Sequence, residues 1–162
     1  MIRANNDGNM MGVAQGNNGL KNAYATYLKT TTICDFDNTP GTCWHNASTD
    51  WQLLNGDPSE AWMNPGAGVI TSDGIFMKFR GLASDCSDTS GGRPACGQIM
   101  VDINGFNEPN VMGKDVFMIG VEENRITPAG MPDSPSPDNC RAGTKGESCA
   151  WEIMNNTYDW EN

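Results

Sequence analysis

Four oxygen-bearing side chains, Asp102, Asn104, Asn110 and Asp115, fall within one stretch, VDINGFNEPNVMGKDVF (Val101–Phe117). Carboxylate and amide oxygens gathered on a glycine-sharpened loop are ligands for a hard cation, and calcium takes about six to eight of them. Backbone oxygens near Phe106 and Asn107 could complete such a shell. The spacing departs from an EF-hand loop, because Asp102-x-Asn104-Gly105 lacks a third acid and no Glu closes the loop. The same residue types also make Asx turns and side-chain-to-backbone bonds with no metal present. Both readings stand at this level. The ends of the stretch alternate as strands do, which puts Val101 and Ile103 on one side of a sheet and Asp102 and Asn104 on the other. Gly105, Pro109, Asn110 and Gly113 keep the middle irregular until Lys114–Ile119 resumes an extended run.

Other reactive chemistry is sparse. His45, in the loop-like CWHN (Cys43–Asn46), is the single histidine. No GxSxG, HExxH, Walker A or Rossmann pattern occurs. Asp73, Asp85 and Asp88 sit in turns, where Asp bonds to its own backbone. The expectation is a protein that is not an enzyme, with His45 incidental. Trp44, Trp51 and Trp62, three of the five tryptophans, either cover the core or form an exposed platform for sugar rings; burial is the commoner fate of indoles. The sequons Asn46-Ala47-Ser48 and Asn155-Asn156-Thr157 carry no functional weight in so Asn-rich a chain.

The six cysteines, Cys34, Cys43, Cys86, Cys96, Cys140 and Cys149, form three local couples, each across a turn-rich segment. Sequence alone does not choose among the full pairings. Sequential pairing is the expectation, each bridge stapling one loop and adding about 2.5–3 kcal/mol in the chain-entropy account. A zinc site fails on spacing, with no CxxC and one histidine. Disulfides imply an oxidising compartment outside the cytoplasm. A net charge of −10 repels nucleic acid and anionic membrane surfaces alike. No apolar run of signal or membrane length is visible, and a chain starting MIRANNDGNMMG reads as a fragment whose targeting segment has been removed.

These groups need elements to position them. At 162 residues the chain suits a single domain with a real core. Met1–Ala4 read as the last turn of a helix closing at Asn5–Gly8. In LKNAYATYLK, Leu20, Ala23, Tyr24, Tyr27 and Leu28 share one helical face, and the β-branched run Thr30–Ile33 ends the helix. Cys34–Gly68 reads as a long Trp-rich connection. GVITSDGIFMKF contains a hairpin turning at Ser72–Asp73–Gly74, Gly81–Pro94 a polar loop, ACGQIMVDI a strand, Asp115–Val121 another, and Arg125–Pro128 a short returning one. MPDSPSPDN (Met131–Asn139) reads as a surface loop, and a short helix follows around Cys149–Met154. Strands in a run after a helix predict an antiparallel α+β fold. Its parts are a helical segment over 1–30, a connecting region over 31–68, a small sheet over 69–128, and a C-terminal loop and short helix over 129–162.

VITSDGIFMKF (Val69–Phe79), CGQIMVDINGFNEPNVMGKDVF (Cys96–Phe117) and the tail around Cys149–Ala150 resemble the soluble C-terminal domain of type IV pilin-like proteins. These are made with a prepilin-type N-terminal cleavage and methylation segment. LKNAYATYLK with Cys34 and Cys43–Trp44 matches more loosely, so the resemblance covers most of the chain from Leu20 onward. It implies a pilin-like fold, with a long N-terminal helix in the membrane before assembly and in the filament core afterwards, and a sheet packed on its C-terminal half. Major pseudopilins of this plan carry a calcium loop between late strands, which is what calcium on Asp102, Asn104, Asn110 and Asp115 would be. The chain departs from the family in lacking the hydrophobic helix, the cleavage site and its glutamate; IRANNDG could be that helix's tail. The implied role is a structural subunit of a type IV pilus or type II secretion pseudopilus, outside the cell or in the periplasm. Its partners would be other pilin or pseudopilin subunits, reached through the missing helix, which would also be its only contact with a membrane. Without that helix the domain should be monomeric or weakly associating. The rival expectation is a secreted carbohydrate-binding module, calcium-dependent and reading sugars through the tryptophans.

Overall fold

A computed structural model describes residues 9–13, 15–46, 50–90, 92–133 and 140–155. The expected turn at Met1–Ala4, its closure at Asn5–Gly8, most of the proline-rich loop and most of both sequons lie outside the described residues. Helix α1 spans Gly16–Ala25 and is followed by β1 (Thr30–Cys34), β2 (Ala67–Thr71) and β3 (Phe76–Gly81). Next come β4 (Asp88–Ser90), β5 (Arg93–Ala95), β6 (Gly97–Asp102), β7 (Val116–Val121), β8 (Ile126–Pro128) and helix α2 (Cys149–Met154). Six strands form one sheet in the order β1-β2-β3-β6-β7-β8, and every neighbouring pair is antiparallel. β4 and β5 make a separate hairpin. The fold is thus α+β with an antiparallel sheet.

The sheet is covered on both faces, by different kinds of material. Leu20 from α1 packs on one face with Val69, Phe79, Ile99 and Val121, and Tyr24, Ala25 and Leu28 lie against the same cluster. Tyr24 stacks on Phe79 with ring centroids 5.8 Å apart. The other face carries Phe76, Met100, Val116 and Met118, covered by Trp44, Trp51, Leu53, Met63 and Met112 from irregular segments. Alternation along each strand explains the division: Phe79 and Ile99 point to the helix, and Phe76 and Met100 to the loops.

Two glycines let α1 come close. Gly81 and Gly97 are cross-strand partners at the ends of β3 and β6. A Cβ on Gly81 would lie 2.4 Å from the Gly16 backbone, and one on Gly97 would lie 2.5 Å from a Leu20 methyl. Asn17 Oδ1 accepts the Gly81 N–H at 3.0 Å, and Asn18 Oδ1 accepts that of Phe36 at 3.1 Å. Lys21, 1% exposed, reaches Asp35 at 2.5 Å and so ties α1 to the end of β1.

Several boundaries move. The helix begins at Gly16 rather than Leu20 and ends at Ala25, because the asparagines with poor helix propensity make tertiary bonds that hold the first turn. The β-branched run that was to end the helix is itself β1, an edge strand paired with β2 through a bulge between Thr30 and Thr32. The sheet therefore starts at Thr30, not Val69. The polar loop expected over Gly81–Pro94 holds the β4–β5 hairpin. The Ser72–Asp73–Gly74 turn stands as expected, with Gly74 at φ +87°, a left-handed conformation that glycine takes freely. The opposite edge of the sheet is β8, only three residues long, carrying exposed Ile126 and ending at half-buried Pro128. The three disulfides pair sequentially: Cys34–Cys43, Cys86–Cys96 and Cys140–Cys149.

Candidate functional site

The loop between β6 and β7 is organised by its two aspartates. Asp102 Oδ1 accepts the N–H groups of Asn104 at 3.0 Å and Gly105 at 2.8 Å. Its Oδ2 meets His45 Nε2 at 2.7 Å. Asp115 accepts the N–H groups of Asn110 at 2.8 Å and Val111 at 2.6 Å, one on each oxygen. Every carboxylate oxygen of the pair thus holds a protein donor, which is how short acidic side chains fix tight loops. The Asn104 amide donates to the Glu108 carbonyl at 3.2 Å. The Oδ1 atoms of Asn104 and Asn110 are buried with no hydrogen-bond partner among the described residues. Asn110 occupies the left-handed region at φ +51°, which Asn tolerates better than most. Among the described residues no group of three or more His, Cys, Asp or Glu is placed to hold a metal. A carboxylate oxygen that accepts one N–H keeps a second lone pair, so a cation here would share Asp102 and Asp115 with these donors and draw its other oxygens from amides and backbone.

What these braces position is the aromatic layer on the loop face. Once Asp115 fixes Asn110 and Val111, the strand-like segment at Gln52 pairs with them: Gln52 N–H donates to the Asn110 carbonyl at 3.0 Å, and Met112 N–H to the Gln52 carbonyl at 2.9 Å. That places the neighbouring Trp51 against the sheet. Asp102 does the same for Trp44 by anchoring His45. His45 is 2% exposed and ringed by Trp44, Phe76 and Phe106, with centroids 5.5–6.2 Å away. The lone histidine is therefore a buried strut rather than an incidental loop residue.

Beneath the two indoles lies Lys78, which the sequence reading passed over. It is 2% exposed and projects from the middle of β3, a strand with apolar neighbours on both sides. Its Nζ lies 4.5 Å from the Trp44 ring centroid and 5.6 Å from that of Trp51, and it donates to the Met63 carbonyl. The missed signal is parity: in IFMKF, Lys78 shares the face of Phe76, a face that a central strand must bury. Burial pushes the ammonium down to about 7, with a smaller push from the charge on Arg80. The two indole faces attract a cation and work the other way.

Trp44 and Trp51, 1% and 3% exposed, are not a surface platform; they are roof beams over a buried lysine. Trp62 differs. It is half-buried, and Arg80, two residues beyond Lys78 on the same face, sets its guanidinium 5.4 Å from the Trp62 ring centroid. Trp62 donates its indole N–H to Glu60, which also takes Lys145 at 2.5 Å. These two donors hold Glu60 below the usual carboxylate range. Trp62 and Arg80 help line a cleft of about 300 Å³ with Ser90, Gln98, Thr127 and Ser148.

Past that cleft, Glu122 gathers Arg93 at 2.6 Å, Arg125 at 2.7 Å and the Thr127 hydroxyl at 2.9 Å. This links the β4–β5 hairpin to the β7–β8 turn, and the Glu122 and Asp133 contacts raise the Arg93 pKa. Comparison with family models, with curated proteins and with solved structures found no match to this chain.

Proposed function

We propose that this chain is the head domain of a pilin-like filament subunit, of a type IV pilus or a type II secretion pseudopilus, in the periplasm or on the cell surface. The observation that carries the reading is the asymmetry of the sheet. One face of an antiparallel sheet receives a helix at close range, and the other is closed by irregular chain, the part before Trp44 stapled by Cys34–Cys43. Met10 and Val13 enter the helix-face cluster, and Met10 N–H bonds to the Glu123 carbonyl at 2.7 Å. The segment leading into α1 thus packs on the same face of the sheet as α1 itself, which supports a chain entering from that side. Three disulfides suit an oxidising compartment. The role is structural, with filament partners met through an upstream helix.

The coding sequence upstream should specify an apolar segment of about 20 residues behind a short basic leader. Antibody raised to the domain should decorate filaments along their length in electron micrographs. A conventional cleaved signal peptide, with the antigen found only as free secreted protein, would overturn the reading.

A further inference from the structure

The loop face of β3 carries two cations, Lys78 and Arg80, and neither makes an ion pair among the described residues. The other described cations with no ion pair, Lys29, Lys114 and Arg141, are exposed to water, whereas Lys78 is buried and Arg80 half-buried. Arg93 and Arg125, a few strands away, are both paired with Glu122 and Asp133. A guanidinium drawn half out of water without a counter-charge is costly. Arg80 is nevertheless held firmly. Its Nη1 donates to Gln98 Oε1 at 3.2 Å, and Gln98 is itself anchored by donating to Ser90 Oγ at 2.8 Å. The Trp62 ring supports the guanidinium. One of its five N–H donors is thus occupied by Gln98, and the fork is fixed in orientation within the cleft.

The walls around it are polar and largely buried: Gln98 is 6% exposed, Thr127 5% and Ser148 3%. Ser90 and Thr89 add hydroxyls from the β4 hairpin, Glu147 lines the cleft as well, and Met118 adds an apolar surface. We propose that this cleft is a binding site for an acidic sugar of the uronate class. The sugar carboxylate pairs with the Arg80 fork, a geometry that guanidinium offers bidentately. The sugar hydroxyls meet the Ser, Thr and Glu147 groups, and its apolar face lies over Met118 and the Trp62 edge. The site is independent of whether the domain belongs to a filament.

Sodium glucuronate titrated into the 15N-labelled protein should shift the amides of Arg80, Ser90, Gly120 and the Trp62 indole as one saturable set. Glucose and sodium acetate, added separately, should bind about tenfold more weakly or worse, since each lacks one half of the contacts. Arg80→Gln should abolish the shifts. Gln98→Glu puts a charged carboxylate on Nη1 where the neutral amide oxygen now sits and so neutralises the guanidinium from within, and it should also weaken binding while the protein stays folded. No saturable glucuronate shifts overturn the site. Glucose binding equal to glucuronate overturns the role of Arg80, and acetate binding equal to glucuronate overturns the sugar.

Discussion

Lys78 is the residue whose chemistry is most out of keeping with its place. Its folded pKa, about 7, lies well below the 10.5 of an exposed lysine. Between those values the unfolded chain binds more protons than the folded one, so stability from this group rises with pH across that window and is lost again as pH falls towards 7. The gain amounts to a few kcal/mol at most, reduced by whatever the indoles give back to the charged form. Urea unfolding followed by tryptophan fluorescence should show this rise between neutral pH and pH 10. Lys78→Met, close in volume and without charge, should flatten it and be more stable than wild type at pH 7. An equal pH slope in the variant would show that the charge is accommodated without cost. The neighbouring aspartates follow a different logic. Asp102 and Asp115 are conspicuous in the sequence as oxygen-bearing side chains, but what they accept from cannot be read there, because most of their donors are backbone N–H groups whose positions exist only after the loop has closed.

At the scale of elements, the contact between α1 and the sheet depends on the absence of side chains at two opposed positions. Gly81→Ala sets a methyl against the Gly16 backbone, 2.4 Å from where it must lie, and backbone yields less readily than a side chain. The substitution should cost about 1–3 kcal/mol and speed amide exchange in α1 while leaving β6 and β7 protected. Exchange unchanged in α1 would mean that the helix is not seated by this slot. Elements with local signals were legible. The Asp-Gly turn, the alternating strand ending at Asp102, the strand Val116–Val121 and the helix opening at Cys149 all follow from pattern and turn chemistry. Those set by distant partners were not. The start of α1 depends on Gly81 across the fold, β1 on the edge of β2, and the β4–β5 hairpin on Ser90 meeting Gln98. The burial of Trp44 and Trp51 was legible as the commoner fate of indoles, but not their place over a lysine elsewhere in the chain. The Arg80 cleft was invisible for the same reason, since its walls come from five strands, the segment around Trp62 and the segment before α2.

For the molecule as a whole, the staples differ in what they hold. Cys86 and Cys96 lie inside the helix-face core with Leu20, Phe79 and Val121, whereas Cys140 and Cys149 belong to neither core cluster. Replacing the Cys86–Cys96 pair with alanines should therefore lower stability by more than the same change at Cys140–Cys149, against about 2–4 kcal/mol for loop closure alone. Equal losses in thermal melts of the two variants would make chain entropy the whole account. The two ends of the sheet have a further consequence. An unguarded edge strand would invite another copy to add its own backbone, strand against strand. Here one rim is interrupted by the offset at Thr30–Thr32 and closed off by the bridge at Cys34, and the other is cut short and finished with a proline that has no N–H to offer. Each rim is thus a stop signal against unplanned polymerisation. A protein built this way can be packed at high local concentration without its sheets fusing into one.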